Sequence, residues 1–187
     1  YDDVLNITWL QDANYAKTSG YDTDGRMTWS EANSWASNLA FGGYSDWRLP
    51  ATNIVDPTCE IQNGTSFGGN CLGNEFGELF YGELGGQFHS PITDSLDPDL
   101  QLFSNISTEP SILYWYGSAW EDGNRPGFYF YDGTLNYGVP DNEFYAWAVR
   151  DGDVQVASAV PEPSIVLLLI AALGILWTAR IQQNPAG

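Results

Sequence analysis

Residues 42–50, with the sequence GGYSDWRLP, constrain the fold more than any other stretch of the chain. A glycine pair leads into an alternation in which Trp47 can bury a large apolar area while Asp46 and Arg48 face the other way. Those two charged side chains can pair with other charges or bond to backbone carbonyls. Pro50 fixes the exit of the chain and biases the residue before it to an extended conformation. We interpret the stretch as a structural corner of the scaffold and not as a catalytic site.

Local patterns predict few helices and several short aromatic strands. Thr28 and Glu31 have the spacing of a capping box, and apolar residues follow at helical spacing until the glycine pair at 42–43. A second, shorter helix is predicted over residues 75–84 despite two glycines. Strands are predicted over residues 4–10, 112–116, 127–131 and 144–150. With a hairpin turn at Asp132-Gly133, the body of the chain is predicted to be α+β with a small antiparallel sheet.

The two cysteines, Cys59 and Cys71, lie twelve residues apart in a loop rich in glycine and asparagine. Two thiols are too few for a structural zinc site. In an oxidising compartment, a disulfide closing such a loop stabilises the fold by about 2–3 kcal/mol. We therefore predict a disulfide between Cys59 and Cys71.

The charge balance excludes one class of partner. The formal net charge is −18, from 24 acidic and six basic residues. A surface this acidic repels phosphate backbones, so nucleic acid is excluded as a partner. Divalent cations, basic protein surfaces or a salty medium fit the charge better, and solubility alone is the alternative explanation.

The composition changes abruptly after Asp153. A Pro-rich hinge is predicted over residues 156–164, and residues 165–179 are apolar almost without interruption. As a helix these fifteen residues span about 22 Å, less than the ~30 Å hydrocarbon core, so the membrane must thin or flanking residues must enter it. A buried helix of a soluble domain is the alternative. Arg180 follows the apolar run and the acidic mass precedes it, which predicts that the C-terminus lies inside.

The tail resembles a PEP-CTERM sorting signal, in which a Pro-Glu-Pro motif precedes a membrane helix and a basic end. Pro161, Glu162 and Pro163 match the motif, and Arg180 alone represents the basic end, where such tails usually carry several arginines. The resemblance implies a protein of the bacterial envelope that is handled by an exosortase. The sparse basic end favours a retained anchor over a cleaved signal.

The preceding body resembles the C-terminal domain family of a bacterial collagen-like adhesin, a domain of unknown function. The matching motifs lie at residues 5–9, 27–29, 45–50, 114–118 and 148–152, so the resemblance spans about residues 4–153. It implies a C-type-lectin-like fold with its termini close together and no settled activity. The residues that carry its structural motif are Trp29, Asp46, Trp47, Arg48, Pro50, Trp115 and Arg150.

Two acidic loops are candidate calcium sites. Asp22 and Asp24, followed by Glu31, reproduce part of a calcium-binding loop, although Gly20 stands where the first aspartate is expected. An ordinary Asp-Gly turn is the alternative. The pair Glu121-Asp122 resembles the loops with which lectins bind a cation or a sugar. Ca²⁺ is therefore a candidate cofactor, and no cofactor is certain.

Catalysis is not expected. The single histidine, His89, lies in a turn-rich segment, and the chain contains no Gly-x-Ser-x-Gly elbow. With 24 acidic residues, carboxylate pairs arise by chance and carry no information. The aromatic strands near 114–131 and 144–147 point instead to a binding role, since one sheet face is core and the other is a sugar-stacking platform or a protein interface.

The predicted organisation is an exported domain (1–155), a hinge (156–164), a single transmembrane helix (165–180) and a short cytoplasmic tail (181–187). The chain begins at Tyr1 without a Met, which suggests that an export signal has been removed. The domain would lie on the periplasmic or extracellular side of a bacterial cytoplasmic membrane. One hypothesis is an accessory structural subunit of a larger integral-membrane complex, photosynthetic or respiratory, with its helix in contact with membrane lipid and partner helices. The other is a sorted surface protein that binds glycan or matrix with the help of calcium.

Overall fold

The structure, a computed structural model, describes residues 1–120 and 123–154. The chain divides into two units, Tyr1–Asp153 and Val154–Gly187, and the first unit is the domain described below. Several sequence-based predictions lie outside the described residues: the hinge at 156–164, the membrane helix at 165–180, the tail at 181–187, the sorting residues Pro161, Glu162, Pro163 and Arg180, and the acidic pair Glu121 and Asp122. Within the described part, no helix has the length and apolar character needed to cross a membrane.

Short elements alternate along the domain. The strands are β1 (Ile7–Trp9), β2 (Arg26–Met27), β3 (Ile61–Asn63), β4 (Thr65–Phe67), β5 (Tyr114–Trp115), β6 (Arg125–Tyr129), β7 (Thr134–Gly138), β8 (Phe144–Tyr145) and β9 (Val149–Asp151). The helices are α1 (Tyr15–Thr18), α2 (Trp29–Asn38) and α3 (Glu75–Gly77), which continues as a π-helix over Glu78–Glu83, and two 3₁₀ turns at Ile92–Asp94 and Pro98–Leu102. The α+β class predicted from the sequence is confirmed.

Three sheets organise these strands. The largest has five strands in the order β2-β8-β5-β6-β7, and two-stranded sheets are formed by β1 with β9 and by β3 with β4. All pairings are antiparallel except that of β5 with β8. That parallel pair is the feature of the sheet that the sequence did not predict, because it joins strands separated by the whole β6–β7 hairpin.

The pairing of β1 with β9 brings the two ends of the domain together. Ile7 lies opposite Asp151, and the Gly152 N–H donates to the Asn6 carbonyl at 2.8 Å. The chain therefore enters and leaves the domain at one point, as the family resemblance implies.

Helix α2 begins where the capping box was predicted. The Glu31 N–H donates to Thr28 Oγ1, and the Thr28 N–H donates to Glu31 Oε2 at 3.0 Å. The helix ends at Asn38, before the glycine pair, and buries Ala32, Trp35 and Ala36. The helical spacing placed these three residues and Leu39 on one face, and Leu39 is the partly exposed C-cap residue. The helix and its buried face are therefore confirmed, with an end a few residues before the glycine pair.

The predicted helix over 75–84 is also present, as α3 and the π-helix that follows. Asn74 caps it by accepting a hydrogen bond from the Gly77 N–H at 2.8 Å. A Cβ atom at Gly77 would lie 1.6 Å from the Cys71 carbonyl oxygen. The glycine that seemed unfavourable for a helix is therefore required by the close approach of the cysteine loop.

The predicted strand over 144–150 is wrong as a single strand. Its first part is β8 in the five-stranded sheet, its last part is β9 in the two-stranded ribbon, and residues 146–148 belong to neither. The break lets Trp147 turn into the core, where its indole N–H donates to the Leu10 carbonyl at 2.7 Å. In an uninterrupted strand, residues 144–150 would all have paired within one sheet, and the chain could not have passed from the five-stranded sheet to the β1–β9 pair at Trp147.

Phe76 of α3 is the centre of an aromatic core. Its ring is fully buried and lies 4.9–6.1 Å, centroid to centroid, from six other rings. These rings belong to Trp9, Tyr114, Tyr116, Phe128, Phe130 and Trp147. Residues from the five-stranded sheet and from the β1–β9 pair thus pack on one side chain of a short helix.

Truncation of this side chain is predicted to be severe. We expect Phe76→Ala to lower the free energy of unfolding by about 3–5 kcal/mol, because a large cavity would open among rings that cannot collapse. Leu96→Ala is the control: Leu96 is 98% exposed, and its truncation should cost less than about 0.5 kcal/mol. Urea denaturation of the two variants measures both values, and similar midpoints would contradict the central role of Phe76.

Candidate functional site

In the corner at 42–50, the Trp47 indole is buried and the charged side chains on either side of it in the sequence form ion pairs. Trp47 is 4% exposed, whereas Asp46 and Arg48 lie on the other side. Both carboxylate oxygens of Asp46 accept hydrogen bonds at 2.9 Å from Arg150, which lowers the pKa of Asp46. The Arg150 guanidinium also lies 3.9 Å above the Tyr44 ring. The charged residues of this motif therefore serve the fold.

Arg48 joins three segments. Its two terminal nitrogens donate to the two carboxylate oxygens of Glu75 at 2.7 and 2.8 Å, and Nη2 also donates to Asp151 at 2.6 Å. These carboxylates, Glu75 above all, raise the pKa of Arg48 despite its burial. Its backbone pairs with Val149 in both directions at 2.8 Å. Arg48 is thus a structural bridge from the corner to α3 and β9, with its bonding capacity used.

The remaining motif residues are also structural. The indole N–H of Trp29 donates to the Tyr116 carbonyl at 2.8 Å, and that of Trp115 donates to the Met27 carbonyl at 2.9 Å. The Pro50 carbonyl accepts from the Gly117 N–H at 2.8 Å. These contacts join the motif to β2 and to the two residues that follow β5.

The arginines of the described residues are all engaged within the fold. Besides Arg48 and Arg150, Arg26 pairs with Glu109 at 2.7 Å, and Arg125 lies 4.4 Å above the Trp29 ring and donates to backbone carbonyls. Lys17 forms no ion pair within the described part of the chain. The charge that this domain presents to its surroundings is therefore overwhelmingly that of carboxylates.

The predicted disulfide between Cys59 and Cys71 is present. Asp56, which is buried, lies beside it, and these three residues form the one cluster with metal-ligand spacing in the described part of the chain. The two sulfurs are bonded to each other, and the carboxylate of Asp56 accepts from the Thr58 and Gly73 N–H groups. The cluster closes a loop and offers no thiolate to a metal.

The candidate calcium loop adopts a tight turn. Asp22 Oδ1 accepts from the N–H groups of Asp24 and Gly25 at 2.9 and 2.7 Å, and Asp24 Oδ1 accepts from the Arg26 N–H at 3.0 Å. Burial opposes ionisation of Asp22, but these backbone donors outweigh it and lower the pKa. Glu31, the third expected ligand, bonds to the start of α2. The carboxylates of Asp22 and Asp24 are thus held by the backbone N–H groups of the turn.

His89 lies at the surface of the domain. The imidazole is exposed and stacks on Phe88 at 3.7 Å between centroids. Its side chain forms no hydrogen bond among the described residues. No nucleophile–base pair of the kind that covalent catalysis requires is therefore present at the single histidine.

A concave site that the sequence did not predict lies where the start of the chain, β1, the π-helix and the second 3₁₀ turn meet. We call it the acidic cleft. Its volume is about 250 Å³. The residues that line it are Tyr1, Asp2, Trp9, Gln11, Leu79, Glu83, Leu84, Asp99, Leu102 and Phe103. Apolar and aromatic side chains form most of the lining, and three carboxylates accompany them.

The carboxylates of the acidic cleft repel one another. Burial raises the pKa of Glu83, and the negative charges of Asp2, Glu78 and Asp99 raise it further. Asp2 is 5% exposed, and its two oxygens accept from the Leu5 N–H and the Trp9 indole N–H. No lysine or arginine side chain lines the cleft. Negative charge is therefore concentrated against an apolar surface without a countercharge from the described residues.

A second concavity is lined by amide and hydroxyl groups, and we call it the polar cleft. Its volume is about 450 Å³. Its lining residues are Asn14, Lys17, Thr18, Asn105, Ile106, Ser107 and Tyr145. Asn14 donates to the Asp24 carbonyl at 3.2 Å, so this cleft adjoins the candidate calcium turn.

The sequence could not indicate the acidic cleft, because its residues come from four separate segments of the chain. The one local signal is the acidic run Tyr1-Asp2-Asp3. It indicates a site only once the fold places Glu83 of the π-helix in the same cleft. The π-helix itself has no sequence signature in the pattern of apolar residues. The polar cleft is equally dispersed.

Comparison with known proteins yields one significant match. The family model of the Lcl C-terminal domain matches residues 1–150, which include the corner, the disulfide loop and both clefts. The match confirms the resemblance inferred for this part of the chain. Neither the curated proteins nor the solved structures include a significant match.

The crowding of carboxylates predicts a change in stability with pH. Because the folded state raises the pKa of Glu83, it binds this proton more tightly than the unfolded state does, and wild-type stability falls as pH rises through the interval between the two pKa values. We expect Glu83→Gln to be more stable than wild type at pH 7, by about a few tenths of a kcal/mol for a partly exposed charge. The advantage should disappear below about pH 4, where the unfolded-state carboxyl is also protonated.

Thermal unfolding at several pH values measures this difference. Glu143→Gln, which removes an exposed carboxylate outside the acidic cleft, is the matched control and should change stability little. A Glu83 variant that is less stable than wild type at pH 7 would show that this carboxylate is compensated and would contradict the electrostatic description.

Proposed function

The chain belongs to the Lcl C-terminal domain family, and on that premise we propose that it is a non-enzymatic, membrane-anchored protein of the bacterial envelope. Its role would be that of an accessory structural subunit of a larger integral-membrane complex, photosynthetic or respiratory. Residues 165–180 would contribute one helix in contact with lipid and partner helices. The domain at 1–155 would lie on the periplasmic or extracellular face of the cytoplasmic membrane.

The observation that carries this proposal is the excess of carboxylates on the domain, whose arginines are engaged in contacts within it. The formal net charge is −18, and the four arginines of the described residues are engaged by carboxylates, aromatic rings or backbone carbonyls of the same domain. A domain built in this way attracts basic protein surfaces and repels acidic ones. Complementary charge of this kind favours encounter and correct orientation with a basic partner.

A structural role is also supported by how the chemically reactive groups are used. Both cysteines are joined in a disulfide, and the single histidine is exposed and stacked on Phe88. The conspicuous charged motif at 46–48 is saturated by Arg150, Glu75 and Asp151. The disulfide and the charged motif stabilise the scaffold, which fits a structural role.

Two finer features belong to the same proposal. The first is a C-type-lectin-like fold, which is supported by the α+β class, the paired ends of the domain and the loop closed by Cys59 and Cys71. The second is a PEP-CTERM tail, which is supported by Pro161-Glu162-Pro163 and the apolar run after it. In this proposal the tail is retained as an anchor.

Purification from native membranes tests the proposal. We expect the full-length chain to co-purify in mild detergent with integral-membrane partners in fixed stoichiometry, as measured by intact mass and by the composition of the complex. Its retention should weaken as salt rises, because exposed charges are screened beyond about 10 Å at 0.1 M. A variant lacking residues 165–179 is the control for the helix and should be recovered in lower yield. A chain trimmed near Pro163 and free of partners would contradict the proposal.

A second function, glycan or matrix binding, is favoured by the polar cleft. Amide and hydroxyl side chains such as Asn105, Ser107 and Tyr145 are suited to sugar hydroxyls, and Lys17 adds a donor. The cleft adjoins the turn of Asp22 and Asp24, so a calcium ion bound there would lie beside a sugar. The chain would then be a sorted surface protein.

Glycan binding with and without a calcium chelator tests this second function. Asp22→Asn keeps an oxygen for the backbone donors but removes charge, so we expect it to weaken calcium-dependent binding about tenfold or more, and Asp24→Asn to do the same. The pair Glu121→Gln and Asp122→Asn tests the other acidic loop. Asp141→Asn, an exposed carboxylate outside both loops, is the control. Absence of any glycan binding in calcium would reject this function.

A further inference from the structure

We propose that the acidic cleft receives a lysine or arginine side chain presented by a membrane protein partner. The inference rests on the accessory role proposed above and names the chemistry of one contact in it. The occupant is thus a basic side chain on another protein.

The size and lining of the cleft suit a single long side chain. A volume of about 250 Å³ lies below the usual range of roughly 300–1,000 Å³ for small-molecule pockets. Leu79, Leu84 and Phe103 supply apolar walls, against which the methylene stem of a lysine or arginine can pack. Trp9 and Tyr1 add aromatic surface that attracts a cation.

The charge of the cleft selects a cation. Asp2 is held in place by the Leu5 N–H and the Trp9 indole, while the carboxylates of Glu83 and Asp99 form no hydrogen bond or ion pair among the described residues. Partial burial and the neighbouring negative charges together raise the pKa of Glu83. A bound ammonium or guanidinium group would relieve the repulsion and form charge-assisted hydrogen bonds.

The location of the cleft favours a partner at the membrane. Tyr1, which lines the cleft, donates from its hydroxyl to Asn6 at 2.6 Å, and the Asn6 carbonyl accepts from Gly152 at 2.8 Å. The chain leaves the domain at Gly152, next to this edge of the cleft. About ten residues separate Val154 from the start of the proposed membrane helix at residue 165. The cleft therefore lies on the part of the domain from which the proposed anchor follows along the chain.

Site-specific photo-crosslinking in the native membrane tests the inference. A photoreactive amino acid replaces Leu102, which lines the cleft and is 59% exposed, in the full-length chain. We expect a crosslink to an integral-membrane protein at a peptide that contains lysine or arginine. Glu83→Gln combined with Asp99→Asn should reduce the crosslink yield at least tenfold. The control pair Asp141→Asn and Glu143→Gln removes the same charge from exposed positions outside the cleft and should leave the yield unchanged.

A reciprocal exchange makes the test specific. Replacing the crosslinked basic residue of the partner by glutamate should abolish the crosslink, and combining that change with Glu83→Lys should restore at least part of it. Circular dichroism of each purified variant checks that it is folded.

The outcomes separate this inference from the proposed function. A crosslink to a peptide without a basic residue, to a second copy of this chain or to none while the partner still co-purifies would overturn the inference alone. A yield that survives the loss of both carboxylates would do the same. If the wild-type chain co-purifies with no membrane partner, both the inference and the accessory role are overturned.

Discussion

The guanidinium of Arg48 connects the surface of this domain to its centre. It binds Glu75 with both terminal nitrogens, and Glu75 is followed directly by Phe76, the ring around which the other core aromatics pack. The same guanidinium binds Asp151 in the last strand. One planar, bidentate donor therefore positions both the helix that fills the core and the strand that closes the domain. A lysine could not replace it, because a single ammonium group lacks the geometry to bind both carboxylates in this way.

This arrangement also explains the electrostatic character of the surface. The arginines of the described residues that form ion pairs hold four acids in place, Asp46, Glu75, Glu109 and Asp151. The carboxylates that line the acidic cleft have no such partner among the described residues, and they converge beside apolar side chains. The ion pairs that stabilise the fold and the uncompensated negative charge of the acidic cleft are thus two results of one distribution of charge.

The features predicted from the sequence are those encoded within a few residues. The capping box of Thr28 and Glu31, the buried Trp47 and the short disulfide loop each depend on local spacing, and all are present. The parallel pairing of β5 with β8 and the turn of Trp147 into the core depend on contacts between distant segments. Neither cleft was foreseen for the same reason, since Tyr1, Glu83 and Asp99 are neighbours only in the folded chain. The candidate calcium loop shows that a local pattern can also mislead. The spacing of Asp22 and Asp24 suggests calcium ligands, but the same spacing lets the Asp22 carboxylate accept the backbone N–H groups of a turn.

The pairing of the first and last strands has a mechanical consequence. Ile7 and Asp151 face each other at the same end of the antiparallel β1–β9 ribbon. A force that separates the two ends of the domain would therefore break the hydrogen bonds of this ribbon one after another, starting from that end. The hydrogen bond from the Gly152 N–H to the Asn6 carbonyl would be among the first to break in such a pull. The ribbon therefore takes this load first, and the five-stranded sheet and the aromatic core bear it only after the ribbon has opened.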